Sequence, residues 1–88
     1  MLRESSLESK IRRHAIQNGW LTYKFTSPGV RGVPDRIFIK NGRLIFVEFK
    51  SEDGQLSKLQ NIQIQKLREH GMEVFVINNV PDGKAILC

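Results

Sequence analysis

Asn41-Gly42 lies between two apolar runs, Asp35-Arg36-Ile37-Phe38-Ile39-Lys40 and Arg43-Leu44-Ile45-Phe46-Val47-Glu48-Phe49-Lys50. A two-residue hairpin turn needs positive φ at both central positions, and Asn-Gly meets that need with the least steric cost. The pair therefore predicts a β-hairpin and also its register. Lys40 faces Arg43, Ile37 faces Phe46, and Asp35 faces Glu48. Facing residues point to the same side of a sheet with Cβ atoms ~4.5–5.5 Å apart. By the two-residue period, Leu44, Phe46, Glu48 and Lys50 share one face of the strand, and Ile45, Val47 and Phe49 take the other.

One end of the hairpin thus carries two carboxylates and an ammonium on one face, in an otherwise apolar strand. Like charges opposed across a sheet are destabilising. Close carboxylates must share a proton, gain a cation or be neutralised by neighbours. In a purely structural reading, Lys50 or Arg36 pairs with the acids in an ion-pair cluster. Two features favour a site. Gly32-Val33-Pro34 makes a stiff loop that delivers Asp35 to a strand end, and Glu48 and Lys50, two apart, reach the same point. Oxygen ligands of this kind suit a hard divalent ion, Mg²⁺ or Mn²⁺, held by Asp35, Glu48 and the main-chain carbonyl of Phe49. The chemistry that uses such a set is metal-assisted phosphodiester cleavage, with Lys50 positioning the attacking water and balancing charge.

The remaining elements frame the hairpin. Leu7, Ile11 and Ala15 predict a helix over Ser6–Asn18, closed by Gly19. Ser5 and Glu8 have capping-box spacing, which gives Glu8 a local role. Glu8 also borders the stripe that faces the sheet, from which a third carboxylate would complete the metal shell directly or through a water. Trp20–Thr26 alternates as a strand, with Trp20 and Tyr23 expected in the core. Ser57 and Gln60 form a second capping box at the start of a helix that runs to His70, with Leu59, Ile62 and Leu67 on its apolar side and Gly71 as its stop. Glu73–Ile77 reads as a buried strand, parallel to the third across the helical crossover. Pro81-Asp82-Gly83 reads as a turn and Lys84–Cys88 as a short edge strand.

Charge narrows the partner. The chain of 88 residues has a net charge of +5, from 14 Lys and Arg against 9 Asp and Glu. The excess lies before Leu44, in Arg3, Lys10, Arg12, Arg13, Lys24, Arg31, Arg36, Lys40 and Arg43 against Glu4, Glu8 and Asp35. Such an excess points to a polyanion, nucleic acid before membrane. Lys10, Arg12 and Arg13 read either as phosphate contacts or as a solvated helix face. One Cys and two His leave no disulfide framework and no Cys/His zinc site within the chain. The short apolar runs predict no membrane span, and the N-terminal residues lack a signal-peptide core. Cys88 suits a reducing interior. Gly29-Val30-Arg31-Gly32 lacks the Gly-Lys-Ser/Thr ending of a P-loop, though a basic loop there can touch phosphate.

Pro34-Asp35 followed by Glu48-Phe49-Lys50 resembles the core pattern of the PD-(D/E)xK nuclease superfamily. With Glu8 in the first helix, Lys24 in the next strand, Gly32-Val33-Pro34-Asp35-Arg36, and Ser57 to Gln60 in the following helix, the chain resembles the VRR-Nuc (virus-type replication-repair nuclease) family from roughly Glu8 to Ile77. That resemblance implies an α/β fold with a restriction-endonuclease-like αβββαβ core, a mixed sheet flanked by helices, in a single domain. It implies a divalent metal, Glu8, Asp35 and Glu48 as acidic site residues, a catalytic Lys50, and Gln60 lining the site. It further implies a homodimer acting on branched DNA in the manner of a Holliday-junction resolvase, in the cytoplasm of a bacterial or virus-infected cell. Lys24, Arg31, Arg36 and Arg12 are the expected DNA contacts. A non-catalytic DNA-binding module using the same basic face is the alternative function.

Overall fold

The computed structural model describes residues 2–88. The described elements run α1 (Glu4–Gln17), β1 (Leu21–Lys24), β2 (Arg36–Lys40), β3 (Arg43–Phe49), α2 (Lys58–Glu69), β4 (Glu73–Ile77) and α3 (Val80–Ile86). The strands form one mixed sheet in the order β1-β2-β3-β4. Its first two pairings are antiparallel, and β3 pairs β4 in parallel through the α2 crossover.

The hairpin has the expected turn and register. Asn41 and Gly42 have φ of 52° and 79°. Lys40 faces Arg43, Ile37 faces Phe46, and Arg36 faces Val47. Asp35 lies one residue before β2, just off the ladder and in step with it.

The two faces of the sheet are covered unequally. On one, Phe38, Ile45, Val47, Phe49 and Ile77 pack with Leu7, Ile11 and Ala15 of α1 and with Trp20 and Leu87. Fully burying each large side chain is worth ~1.5–3 kcal/mol, so this layer is the main core. On the other face, Ile64 of α2 is buried, as is Val74 of β4. There β1 leaves Leu21 50% and Tyr23 55% exposed.

Several expectations change in the tertiary structure. α1 begins at Glu4 with Arg3 as its N-cap and no side-chain capping bond, so Ser5 and Glu8 form no capping box. β1 is shorter than predicted, and Tyr23 faces the open side rather than the core, whereas Trp20 is buried. α2 buries Ile64 and leaves Leu59 and Ile62 on its outer surface, because its inner face is set by contact with Glu48 and β4. β4 is an edge strand with Val76 partly exposed.

The C-terminal residues form a helix, not a turn and edge strand. Asn79 caps it, its Oδ1 accepting from the Asp82 N–H at 2.9 Å, and Pro81 lies in its first turn, where a missing N–H costs nothing. Gly83 sits where any Cβ would collide with the Ile11 side chain. Its bare backbone lets α3 lie directly on α1. Among the described residues no helix is long and apolar enough to cross a membrane.

Candidate active site

Asp35 is held at the mouth of the hairpin from both sides. Its main-chain carbonyl accepts from the Phe25 N–H at 2.9 Å. Its side-chain Oδ2 accepts from the Phe49 N–H at 2.8 Å, which replaces a ladder bond just past the end of β2. Burial raises the Asp35 pKa, and the charges of Glu8 and Glu4 add to the rise, while the Phe49 N–H opposes it.

Glu48 is 2% exposed, the one buried charged side chain among the described residues. It lies on the α2 side of β3, as the alternation requires. Burial, then repulsion from Asp35, pushes its pKa from 4.5 up to about 7, against the pull of Lys50. Two donors meet its Oε2. Gln60 Nε2 donates at 3.2 Å. Lys50 Nζ lies at 3.7 Å, its side chain 13% exposed.

Gln60 serves two partners at once. Its Oε1 accepts from the Ser57 N–H at 2.9 Å, and its own N–H donates to Ser57 Oγ at 3.1 Å. The capping box and the contact with Glu48 are therefore one arrangement: the cap takes the amide oxygen and turns the NH₂ to the carboxylate. Gly32, at φ 90°, brings the preceding loop against this same turn of the helix. A Cβ there would stand 2.6 Å from the Leu59 carbonyl carbon and oxygen and 2.8 Å from Gln60 N.

Glu8 is brought near this group but faces two cations. Arg36 Nε donates to Glu8 Oε2 at 2.8 Å, and Lys24 Nζ lies 3.3 Å from the same oxygen. Arg36 Nη1 also donates to Thr22 Oγ1 at 3.2 Å, and that hydroxyl donates to the Ile37 carbonyl at 2.8 Å. Arg36 thus points inward, its side chain 12% exposed, while Lys24 is 68% exposed. Arg31 is exposed and Arg12 half-buried. In each of the three acids one oxygen collects all the recorded N–H donors: Oε2 of Glu8, Oδ2 of Asp35 and Oε2 of Glu48.

Among the described residues no three Asp, Glu, His or Cys side chains converge closely enough to hold a metal ion. Asp35 and Glu48 are the pair the hairpin brings together, and Glu8, paired with Arg36 and Lys24, lies close enough for its charge to be felt at Asp35. Thr22, Ser57 and Gly32 each hold a residue of this group in place, through Arg36, Gln60 and the turn at Leu59 respectively. The Ser57 cap and the Gly32 loop were visible as local motifs, but their convergence on Glu48 was not. Thr22 carries no local signal at all.

An α/β module that gathers two carboxylates, a lysine and a glutamine at one end of a mixed sheet has the make-up of a nuclease core. The VRR-NUC domain family model matches residues 3–81, and the chain belongs to the VRR-NUC family. The chain is 36% identical over 80 residues to "Putative nuclease p44" of Acyrthosiphon pisum secondary endosymbiont phage 1, an alignment covering 90% of this chain and 86% of that protein. A solved structure described as a VRR_NUC domain superposes with a TM-score of 0.89 at 23% identity, covering 98% of this chain and 95% of the other. That likeness establishes the fold. Membership of that family and the likeness to the phage protein support a nuclease.

Proposed function

We propose that the chain is a divalent-metal-dependent DNA endonuclease whose reacting groups are Asp35, Glu48 and Lys50. The observation that carries this reading is the 2% exposed Glu48 set beside Asp35, with its pKa raised to about 7. A buried carboxylate repelled by a second one is a poor structural device and a good cation receptor. Asp35, Glu48 and the Phe49 carbonyl would hold Mg²⁺ or Mn²⁺, which when bound supplies Lewis-acid activation and charge neutralisation at the phosphate. Lys50 orients the attacking water through Nζ and offsets negative charge as the water oxygen bonds to phosphorus and the bond to the leaving oxygen breaks, the water giving up a proton to solvent and the leaving oxygen taking one from it. Gln60 keeps Glu48 oriented. Glu8, tied to Arg36, adds negative charge at the edge of the site.

The test is cleavage of a four-way junction and of duplex DNA with Mg²⁺, Mn²⁺ or chelator. Wild type is expected to cut with either metal and not with chelator, and Asp35→Asn or Glu48→Gln to abolish cutting and weaken Mn²⁺ binding. Variants that cut like wild type would remove the assignment. DNA binding without cutting under any condition would favour the non-catalytic module instead. Preference for the junction over the duplex is part of the reading.

The same reading includes a homodimer. Its support is the bare sheet face, where Leu21 and Tyr23 are half-exposed. By strand register they stand beside Ile39 and Ile37. Apolar area of this kind is what an interface covers. Light scattering is expected to give a dimer mass, and a monomer both with and without junction DNA would exclude it.

A further inference from the structure

Away from the carboxylates, α1 and α3 lie side by side, brought together where Gly83 meets Ile11. Between their outer surfaces is a cleft of about 310 Å³ lined by Lys10, Arg13, His14, Gln17, Val80 and Lys84. The spacing of Lys10, Arg13, His14 and Gln17 puts all four on one side of α1, and Lys84 faces them from α3. No carboxylate lines the cleft. Among the described residues, neither Lys10, Arg13 nor Lys84 enters an ion pair, because the pairs recorded involve Glu8, Glu48 and Glu73. Asp82, the acid on α3, is held by Asn79 Nδ2 at 2.8 Å.

Three like charges in one cleft repel each other, and no acidic side chain among the described residues pairs with them. The cleft is elongated along α1: at 1.5 Å per residue, Lys10 and Gln17 stand about 10 Å apart along the axis. A linear polyanion satisfies such a row, whereas a single small anion meets only part of it. Val80 is the only apolar lining residue, and the lining has no Phe, Tyr or Trp, its one ring being the small imidazole of His14, so charged and polar donors outnumber stacking surface. Its donors suit phosphate oxygens and are indifferent to sequence.

We infer that the α1–α3 cleft is a second nucleic-acid contact, holding phosphodiester backbone of the DNA substrate away from the bond being cut. The inference rests on the nuclease reading and extends it. At 100° per residue Glu8 and the cleft residues stand on opposite sides of α1, so the backbone that fills the cleft is a stretch that has passed round the helix from the carboxylates. The cleft then supplies affinity and register and takes no part in the chemistry.

The test uses the wild-type chain and the variant Lys10→Gln/Arg13→Gln/Lys84→Gln, with DNA binding measured in chelator, where no cutting interferes. Each phosphate contact contributes about 0.9 to the slope of log K against log salt. The triple variant is expected to lower the magnitude of that slope by about 2–3, while Lys66→Gln on α2 leaves it within experimental error. Cleavage at saturating DNA is expected to stay within about twofold of wild type, since uniform binding alone is lost. In wild type, bound DNA is expected to shield Lys10 and Lys84, but not Lys66, from an amine-acylating reagent. That measurement stands even if the triple variant fails to fold. Wild type that cuts DNA while Lys10 and Lys84 remain freely acylated would overturn the cleft alone. Wild type that neither cuts nor binds DNA would overturn the nuclease reading and the cleft together. An equal slope change with Lys66→Gln, charge for charge, would reduce the effect to bulk electrostatics and also overturn it.

Discussion

Gln60 donates from Nε2 to Glu48 Oε2 at 3.2 Å while its Oε1 accepts from the Ser57 N–H at 2.9 Å. The helix cap and the buried carboxylate therefore share one side chain. Gln60→Ala is expected to slow DNA cleavage ~10–100-fold, the usual loss when the partner of a reacting group is removed. It also removes a donor to the charged form of Glu48, so the acid limb of the pH–rate profile moves to higher pH. Ser57→Ala is expected to cost ~1 kcal/mol of stability and to shift the profile in the same direction by less. Urea unfolding together with a pH–rate series separates the two effects. A Gln60→Ala profile that overlays wild type would show that the contact has no part in the chemistry.

Lys50 is the cation closest to Glu48 in the site, 3.7 Å from its Oε2. Lys50→Met keeps the aliphatic stem and removes the ammonium. Single-turnover cleavage is expected to fall ~10²–10³-fold, in line with loss of one charged group acting on the transition state. Mn²⁺ binding, followed by titration calorimetry, is expected to persist, because both carboxylates remain. Loss of metal binding with intact folding would instead assign Lys50 a role in organising the carboxylates.

The raised pKa of Glu48, about 7 against 4.5, makes the metal-free fold sensitive to pH. Between those values the folded chain holds a proton that the unfolded chain has released. Stability is therefore greatest below the unfolded value and falls as pH rises through the folded one, with a ceiling of ~3 kcal/mol from this group. Asp35 is raised as well and acts in the same direction. Urea melts in chelator at steps from about pH 5 to about pH 8 are expected to show that decline, and Glu48→Gln is expected to flatten it. Mn²⁺ must displace the same proton, so its affinity is expected to climb with pH up to neutrality and level off above it. A metal-free stability that increases across this range would contradict the burial and repulsion invoked for Glu48.

Gly32 combines a φ of 90° with a backbone position that leaves no room for a side chain against Leu59 and Gln60. Gly32→Ala is expected to destabilise by ~1–3 kcal/mol from backbone strain, with the collision adding to it. Since the obstructed turn carries Gln60, activity should fall further than the stability loss explains. Cleavage measured well below the melting temperature, compared with a Gly29→Ala control, tests this. Gly29 also has positive φ, 80°, but has open space around it. Equal activity in the two variants would show that the loop does not hold the helix end in place.

The hairpin was legible in the sequence because both of its determinants are local. Asn41-Gly42 specifies the turn through φ alone, and a period of two then fixes which side chains share a face. Once the turn is placed, Asp35, Glu48 and Lys50 must lie at one end of one face whatever surrounds them. The Ser57–Gln60 cap was legible for the same reason, being completed within four residues. Leu7, Ile11 and Ala15 marked the buried side of α1 because that stripe has no apolar competitor.

Other features depended on neighbours remote in sequence. Glu8 had capping-box spacing with Ser5, yet it pairs with Arg36 and Lys24, whose positions are set by β1 and β2 pairing and by α1 crossing them. Leu59 and Ile62 matched helical spacing as well as the stripe that is buried; the contact with β4 and Glu48 selects Ile64 instead. Pro81-Asp82-Gly83 has turn composition, but Gly83 allows contact with Ile11, and packing on α1 draws the segment into a helix. Local chemistry determined the conformations open to each segment and the residues that share a face. The tertiary structure decided which face is covered and which charges meet, because those outcomes follow from the burial and pairing energies of residues far apart in the chain.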